Sequence, residues 1–178
     1  LWDHHNFSED VIGLFGKDEA YSKAKYLRGI SNVSDENLVR TGPLFKRIED
    51  AVFNRKTGEH AFIKKVGADE RVQYIIDRLG RDGPFCANDF TSWEGLQGPD
   101  IMEATEWEVY RHFVRRLGER GERWLSLVIE LDTKERTYEN RSVTITLEGK
   151  RKSGSANTSL GNGLVNFLIH RYFNELYN

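Results

Sequence analysis

Three stretches of the chain carry residues that could do chemistry. In Asn88-Asp89-Phe90-Thr91-Ser92-Trp93-Glu94, an acid follows the apolar Phe85, Cys86 and Ala87, and 84–90 reads as a short buried strand. A carboxylate at the end of such a strand is costly unless something positive meets it. A hard cation such as Mg2+ would do so, because it takes carboxylate oxygens. Glu94 follows Asp89 five positions later, past a turn-like segment, and can point back to the same place. A helix cap or a surface-loop acid accounts for these residues equally well.

The second stretch runs Arg151-Lys152-Ser153-Gly154-Ser155-Ala156-Asn157-Thr158-Ser159-Leu160-Gly161-Asn162-Gly163. Its small residues permit a turn into a helix and close approach of another backbone. Asn157 can donate and accept, as reading a ribose hydroxyl requires. Gly161 and Gly163 each cost a helix about 1 kcal/mol relative to Ala, which implies a reason beyond helix formation. A Ser/Gly loop before a closely packed helix is the plainer account. The third stretch holds Lys17, Asp18, Glu19, Lys23, Lys25 and Arg28. Spaced cations in a partly extended segment suit a phosphate chain, and a solvated charged surface explains them as well.

The elements that must position these residues alternate in type. Gly42-Pro43 opens a helical stretch with Leu44, Ile48 and Val52 at helical spacing, and Ala61-Phe62-Ile63 reads as a short strand. Asp69 is placed to cap a helix ending at Leu79-Gly80. Gly98-Pro99 begins a helix to Leu117 with Met102, Val109, Phe113 and Leu117 facing inward, and another helix covers 122–131. Tyr138–Arg141 is the expected turn of a hairpin into a half-buried strand, where Val143, Ile145 and Leu147 alternate with polar residues. A last helix starts near Asn157 and carries Leu160, Leu164, Leu168, Tyr172 and Leu176. Interspersed helices and strands make the fold class α+β.

The composition narrows the function classes. The 178 residues hold 26 Lys and Arg against 28 Asp and Glu, a net charge of −2, which excludes a histone-like positive coat but not an internal basic channel. Cys86 is the only cysteine, so intrachain disulfides and thiolate zinc clusters are excluded and a reducing compartment is the easier reading. No apolar run approaches the roughly 20 residues needed to span a bilayer. Leu1-Trp2-Asp3-His4-His5 is not a signal peptide, so the Asn-x-Ser/Thr triplets at Asn6, Asn32, Asn140 and Asn157 read as chance. Without an initiating Met, and ending within a helical pattern, the chain is expected to be a fragment. The five histidines are scattered, Trp93 reads as packing, and the arginines of 111–123, interspersed with glutamates, read as a solvated helix face.

Taken in order, the three stretches resemble the RNA-dependent RNA polymerases of positive-strand RNA viruses, closest to the tombusvirus- and nodavirus-like groups. Ser153-Gly154 with Asn157-Thr158-Ser159-Leu160-Gly161-Asn162 resembles motif B, written SGxxNTSLGN in those families. Asp89 with Glu94 resembles motif A, and Lys17-x-Glu19 with Lys25 and Arg28-x-Ile30 resembles motif F. Glu94 stands where many relatives have Asp, and Leu27 where many have Pro. The Gly-Asp-Asp of motif C, downstream of motif B in the family, is absent.

The resemblance implies a right-hand polymerase palm with part of the fingers. Residues 1–84 would be fingers-derived, with motif F and connecting helices, and 85–178 would be palm, with motifs A and B. The implied reaction adds a nucleoside triphosphate to an RNA 3′ end on an RNA template, by a two-metal mechanism with Mg2+ or Mn2+. By resemblance Asp89 and the Phe90 carbonyl bind metal, and Asp89 is the catalytic residue through that metal. Glu94, Asn157, Ser153 and Thr158 select the ribose 2′ hydroxyl, and Lys17, Lys25 and Arg28 hold the triphosphate. Arg151, Lys152 and Gly154 meet RNA. The implied partners are template and primer or product RNA, the downstream polymerase segments and other replicase proteins, at membrane-associated replication complexes in the host cytoplasm. This piece alone is expected to be inactive. A catalytically dead remnant serving as an RNA-binding or scaffold module would keep the fold and channel and lose the metal. In an unrelated α+β domain Asp89 and Asn157 need not approach each other, whereas in the polymerase reading they line one cleft.

Overall fold

The computed structural model describes residues 9–24, 26–53, 61–83, 85, 87 and 89–177. They form a mixed α+β fold. Strand β1 (Val11–Gly16) turns back antiparallel into β2 (Gly29–Asn32), with Leu14 opposite Ser31. The hairpin β3 (Arg136–Glu139) and β4 (Thr144–Leu147) completes the sheet of the described residues, in the order β2-β1-β3-β4, with β1 and β3 parallel. Such a parallel pair needs a long connection, here residues 17–135, which include β2.

Helix α1 (Asp35–Val52) begins about two turns before the Gly42-Pro43 start expected from the sequence. The Ser34 side chain caps it by accepting from the Asn37 amide at 3.1 Å, and Asp35 and Glu36 complement the positive end of the helix. Glu9 holds the same end, accepting from the Ser34 amide and, at 2.6 Å, from Asn37 Nδ2. Pro43 is therefore interior to the helix, where it removes one backbone hydrogen bond. Helix α2 (Arg71–Leu79) has Glu70 rather than Asp69 at its N-cap position, with no side-chain capping bond, and ends at Gly80, whose φ of 78° suits glycine.

Two expected strands are absent among the described residues. Ala61–Ile63 is irregular, and so are the described residues of 84–90, where Phe85 is 57% exposed. A strand must pair its backbone groups, and no strand of the described sheet pairs with either run. The hairpin turn also lies further on than expected. Tyr138 is inside β3, and Asn140 closes the turn by accepting from the Ser142 and Val143 amides at 2.8 and 2.9 Å. Strand β4 is exposed rather than half-buried, with Ile145 and Leu147 each 41% accessible.

From Gly98 the chain is helical to Leu117, with a change of pitch. It is α-helical over Pro99–Met102 (α4), π-helical over Glu103–Trp107, α-helical again over Glu108–Val114 (α5), and 3-10 over Arg115–Leu117. The wide turn inserts one residue and rotates the inward face by about 100°. Tyr110 and Val114 are consequently buried, whereas the expected Val109 and Phe113 are only partly so and Leu117 is exposed. Glu106 is carried inside with them. Helices α3 (Trp93–Leu96), α6 (Glu119–Thr133) and α7 (Thr158–Tyr177) complete the described elements.

Phe45 of α1 meets Trp124 of α6 and Tyr110 of α5 edge-on, with centroids 4.7 and 5.3 Å apart. Leu160 and Leu164 of α7 join this core. Both the core and the sheet cross the 84/85 division, so the two expected segments interleave. Among the described residues, no helix is long and apolar enough to cross a membrane.

Candidate functional site

The sheet and the loop before α7 enclose an open cleft of about 540 Å³. Its floor includes Leu14, Tyr138, Ile145 and Leu147, and Arg28, Glu94, Lys150 and Ser153 bring polar groups to it. Residues from all three stretches singled out in the sequence thus border one space.

The loop is tied to β2 by a reciprocal pair. The Ser31 amide donates to Ser153 Oγ at 3.0 Å, and the Ser153 amide donates to Ser31 Oγ at 2.9 Å. Gly154 permits this, because a Cβ there would overlap the Ser31 carbonyl oxygen and lie 3.3 Å from the Asn32 Cα. The Thr158 hydroxyl sits between the carbonyls of Lys152 and Ser155, at 2.7 and 2.9 Å, and closes the loop from within.

Below the loop lies a buried polar layer. Arg151 pairs with Glu106, both side chains being fully buried, and Tyr110 donates to the other oxygen of Glu106 at 2.8 Å. Lys152 reaches the Leu131 carbonyl and lies 3.7 Å from Asp132. Burial pulls the Lys152 ammonium below its usual range and pushes the Asp132 carboxyl above its own, each opposing the other's shift. Both cations, expected to meet RNA, have internal partners here, and Arg151 also borders the cleft.

Asn162 joins Glu94 to this layer. Its Nδ2 donates to Glu94 Oε1 at 3.5 Å, while its Oδ1 accepts from Gln97 Nε2 at 2.8 Å. Asn157 is buried beside Tyr110. Residues 157 and 162 are five apart, which turns them about 140° around the helix axis. Asn162, one turn after Thr158, is on the side that meets Glu94. The α7 side chain in contact with Glu94 is that of Asn162, a residue the sequence reading did not assign. Helical periodicity from Thr158 was the signal that would have found it. Glu106 was legible too, as an acid midway between Met102 and Tyr110.

Asp89 is exposed and outside the described helices and strands, and Phe90 packs at a tilt against Trp93 with centroids 4.4 Å apart. Among the described residues, no group of three or more His, Cys, Asp or Glu is gathered to hold a metal. The Glu94 carboxylate is engaged by Asn162, and Asp89 alone does not make a cage for two ions.

At the far side, Glu19 lies between Lys17 at 2.5 Å and Arg28 at 3.6 Å. The hydrogen bond from Lys17 chiefly holds the Glu19 carboxyl below its usual range. The Lys17 amide continues the β1–β2 pairing by donating to the Arg28 carbonyl at 2.8 Å. Lys25 lies outside the described residues. Compared with known protein families, curated proteins and solved structures, the chain finds no match.

Proposed function

We propose that the chain is part of an RNA-directed RNA polymerase and forms the wall that receives the incoming ribonucleotide. The observation that carries this reading is the Glu94–Asn162 contact beside the cleft bordered by Arg28 and Ser153. An acceptor carboxylate steered by an amide donor suits a ribose hydroxyl. A site built for that hydroxyl disfavours the deoxy analogue, which leaves its polar groups unpaired. Arg28, 61% exposed at its side chain, and Lys17, 42% exposed, would meet the triphosphate by displacing Glu19. Positive charge there would stabilise the negative charge that develops on the leaving pyrophosphate.

In this reading the α+β fold is a palm with part of the fingers, and RNA template and primer lie across the cleft. Mg2+ enters through acids additional to Asp89. The work belongs to viral RNA replication, at membrane-associated complexes in the host cytoplasm.

Calorimetric titration of the chain with GTP and with 2′-deoxy-GTP, in the presence of Mg2+, tests it. GTP should bind more tightly, and Arg28→Ala should weaken both ligands to a similar degree. Equal affinity for the two nucleotides, or no binding at millimolar concentration, would overturn the proposal.

A further inference from the structure

Gln97 is 1% exposed and stands between two of the groups described above. Its Oε1 accepts from Arg151 Nε at 3.4 Å, and its Nε2 donates to Asn162 Oδ1 at 2.8 Å. Its own amide N–H donates to the Glu94 carbonyl at 3.3 Å, so it also closes the one-turn helix α3 that carries Glu94.

The direction of this chain of hydrogen bonds is forced from one end. A guanidinium has only donors, and Glu106 keeps Arg151 in place. Gln97 must therefore turn its oxygen to Arg151 and its amide nitrogen to Asn162. Asn162 must answer with its oxygen, which leaves its nitrogen to face Glu94. Either amide alone could flip; in series behind a buried arginine, neither can without leaving a polar group unpaired.

We propose that Gln97 is a positioning residue for ribose recognition, transmitting donor direction from Arg151 through Asn162 to the Glu94 carboxylate. This inference rests on the ribose-reading role given to Glu94 and Asn162. It assigns Gln97 no contact with the nucleotide. Its function is to keep the Asn162 amide nitrogen towards Glu94, leaving Glu94 to accept from the ligand hydroxyl.

The substitution Q97E keeps the acceptor for Arg151 and removes the donor to Asn162. The new carboxylate asks Asn162 for its nitrogen and turns the amide oxygen against Glu94. The ratio of GTP to 2′-deoxy-GTP affinity should fall by about tenfold, with binding of inorganic tripolyphosphate unchanged. The double substitution E94Q/Q97E supplies a donor at position 94 for the reversed Asn162 and should recover most of the ratio. Q97M, which removes both hydrogen bonds at similar volume, should lower the ratio without reversing the amide. It serves as the probe if Q97E does not fold.

A wild-type chain without ribose preference defeats the underlying reading, and this inference with it. Wild-type preference that persists in Q97E and Q97M overturns this inference alone. Equal weakening of all three ligands with a lower melting temperature, unrepaired by E94Q/Q97E, would make Gln97 merely structural and also overturn it.

Discussion

Gly161 stands directly against Glu106. A Cβ on Gly161 would overlap Glu106 Oε2 and lie 2.7 Å from Arg151 Nη2. The glycine that weakens the start of α7 is thus the space in which a buried ion pair sits. Breaking such a pair costs about 3–5 kcal/mol, because a charge is left without its partner. Gly161→Ala should lower the melting temperature by about 10 °C, at roughly 2–4 °C per kcal/mol for a chain of this size. A shift below about 2 °C, followed by circular dichroism, would show that the pair yields without cost.

The Ser31–Ser153 pair joins residues 122 positions apart and should be measurable as a coupling. Each single alanine substitution leaves the other serine with one lost partner. A double-mutant cycle of Ser31→Ala and Ser153→Ala in urea should give a coupling of about 1 kcal/mol. Additive effects would mean that Gly154 packing, rather than the hydroxyls, holds the loop to β2.

The same two serines show what could be read from sequence. The small residues at 153–163 announced close approach of another backbone, and Gly154 and Gly161 are where such approach occurs. What they approach could not be read, because Ser31 and Glu106 reach them only through tertiary folding. The π-turn at Glu103–Trp107 is a second instance. Ordinary helical spacing chose Val109 and Phe113 for the core, whereas one inserted residue brings Tyr110 and Val114 inside. Asp89 is a third. Its neighbours have strand composition, yet no strand of the described sheet pairs with the described residues among them, and composition cannot supply an edge.

Asp132 gives the protein an unusual response to acid. Burial raises its folded-state pKa above the ordinary carboxylate value, with Lys152 and Arg136 opposing. Between the unfolded value and the raised one, the folded state binds more protons. This residue's contribution therefore falls as pH rises through that window and is regained on acidification. Asp132→Asn removes the titration but leaves Lys152 without its anion. At about pH 4 the protonated Asp132 offers Lys152 no anion either, so the variant should match wild type there and lose less than it on going to about pH 7, the range in which carboxylates titrate. Urea midpoints at both pH values check this, and a gap that widens in favour of wild type as pH rises would contradict it.

Asn162 and Asn157 are separated by one and a half turns of backbone, and they should separate function from stability. Asn162→Ala removes the donor to Glu94 and leaves Gln97 Nε2 without its acceptor, so GTP should lose most of its advantage over 2′-deoxy-GTP, about tenfold if the site reads the hydroxyl. Asn157→Ala removes a buried amide beside Tyr110 and should cost about 1–3 kcal/mol of stability with the nucleotide ratio unchanged. Titration with both nucleotides, paired with urea unfolding of each variant, distinguishes the two. If Asn157→Ala instead abolished ribose preference while Asn162→Ala preserved it, the assignment of the reading side of α7 would be reversed.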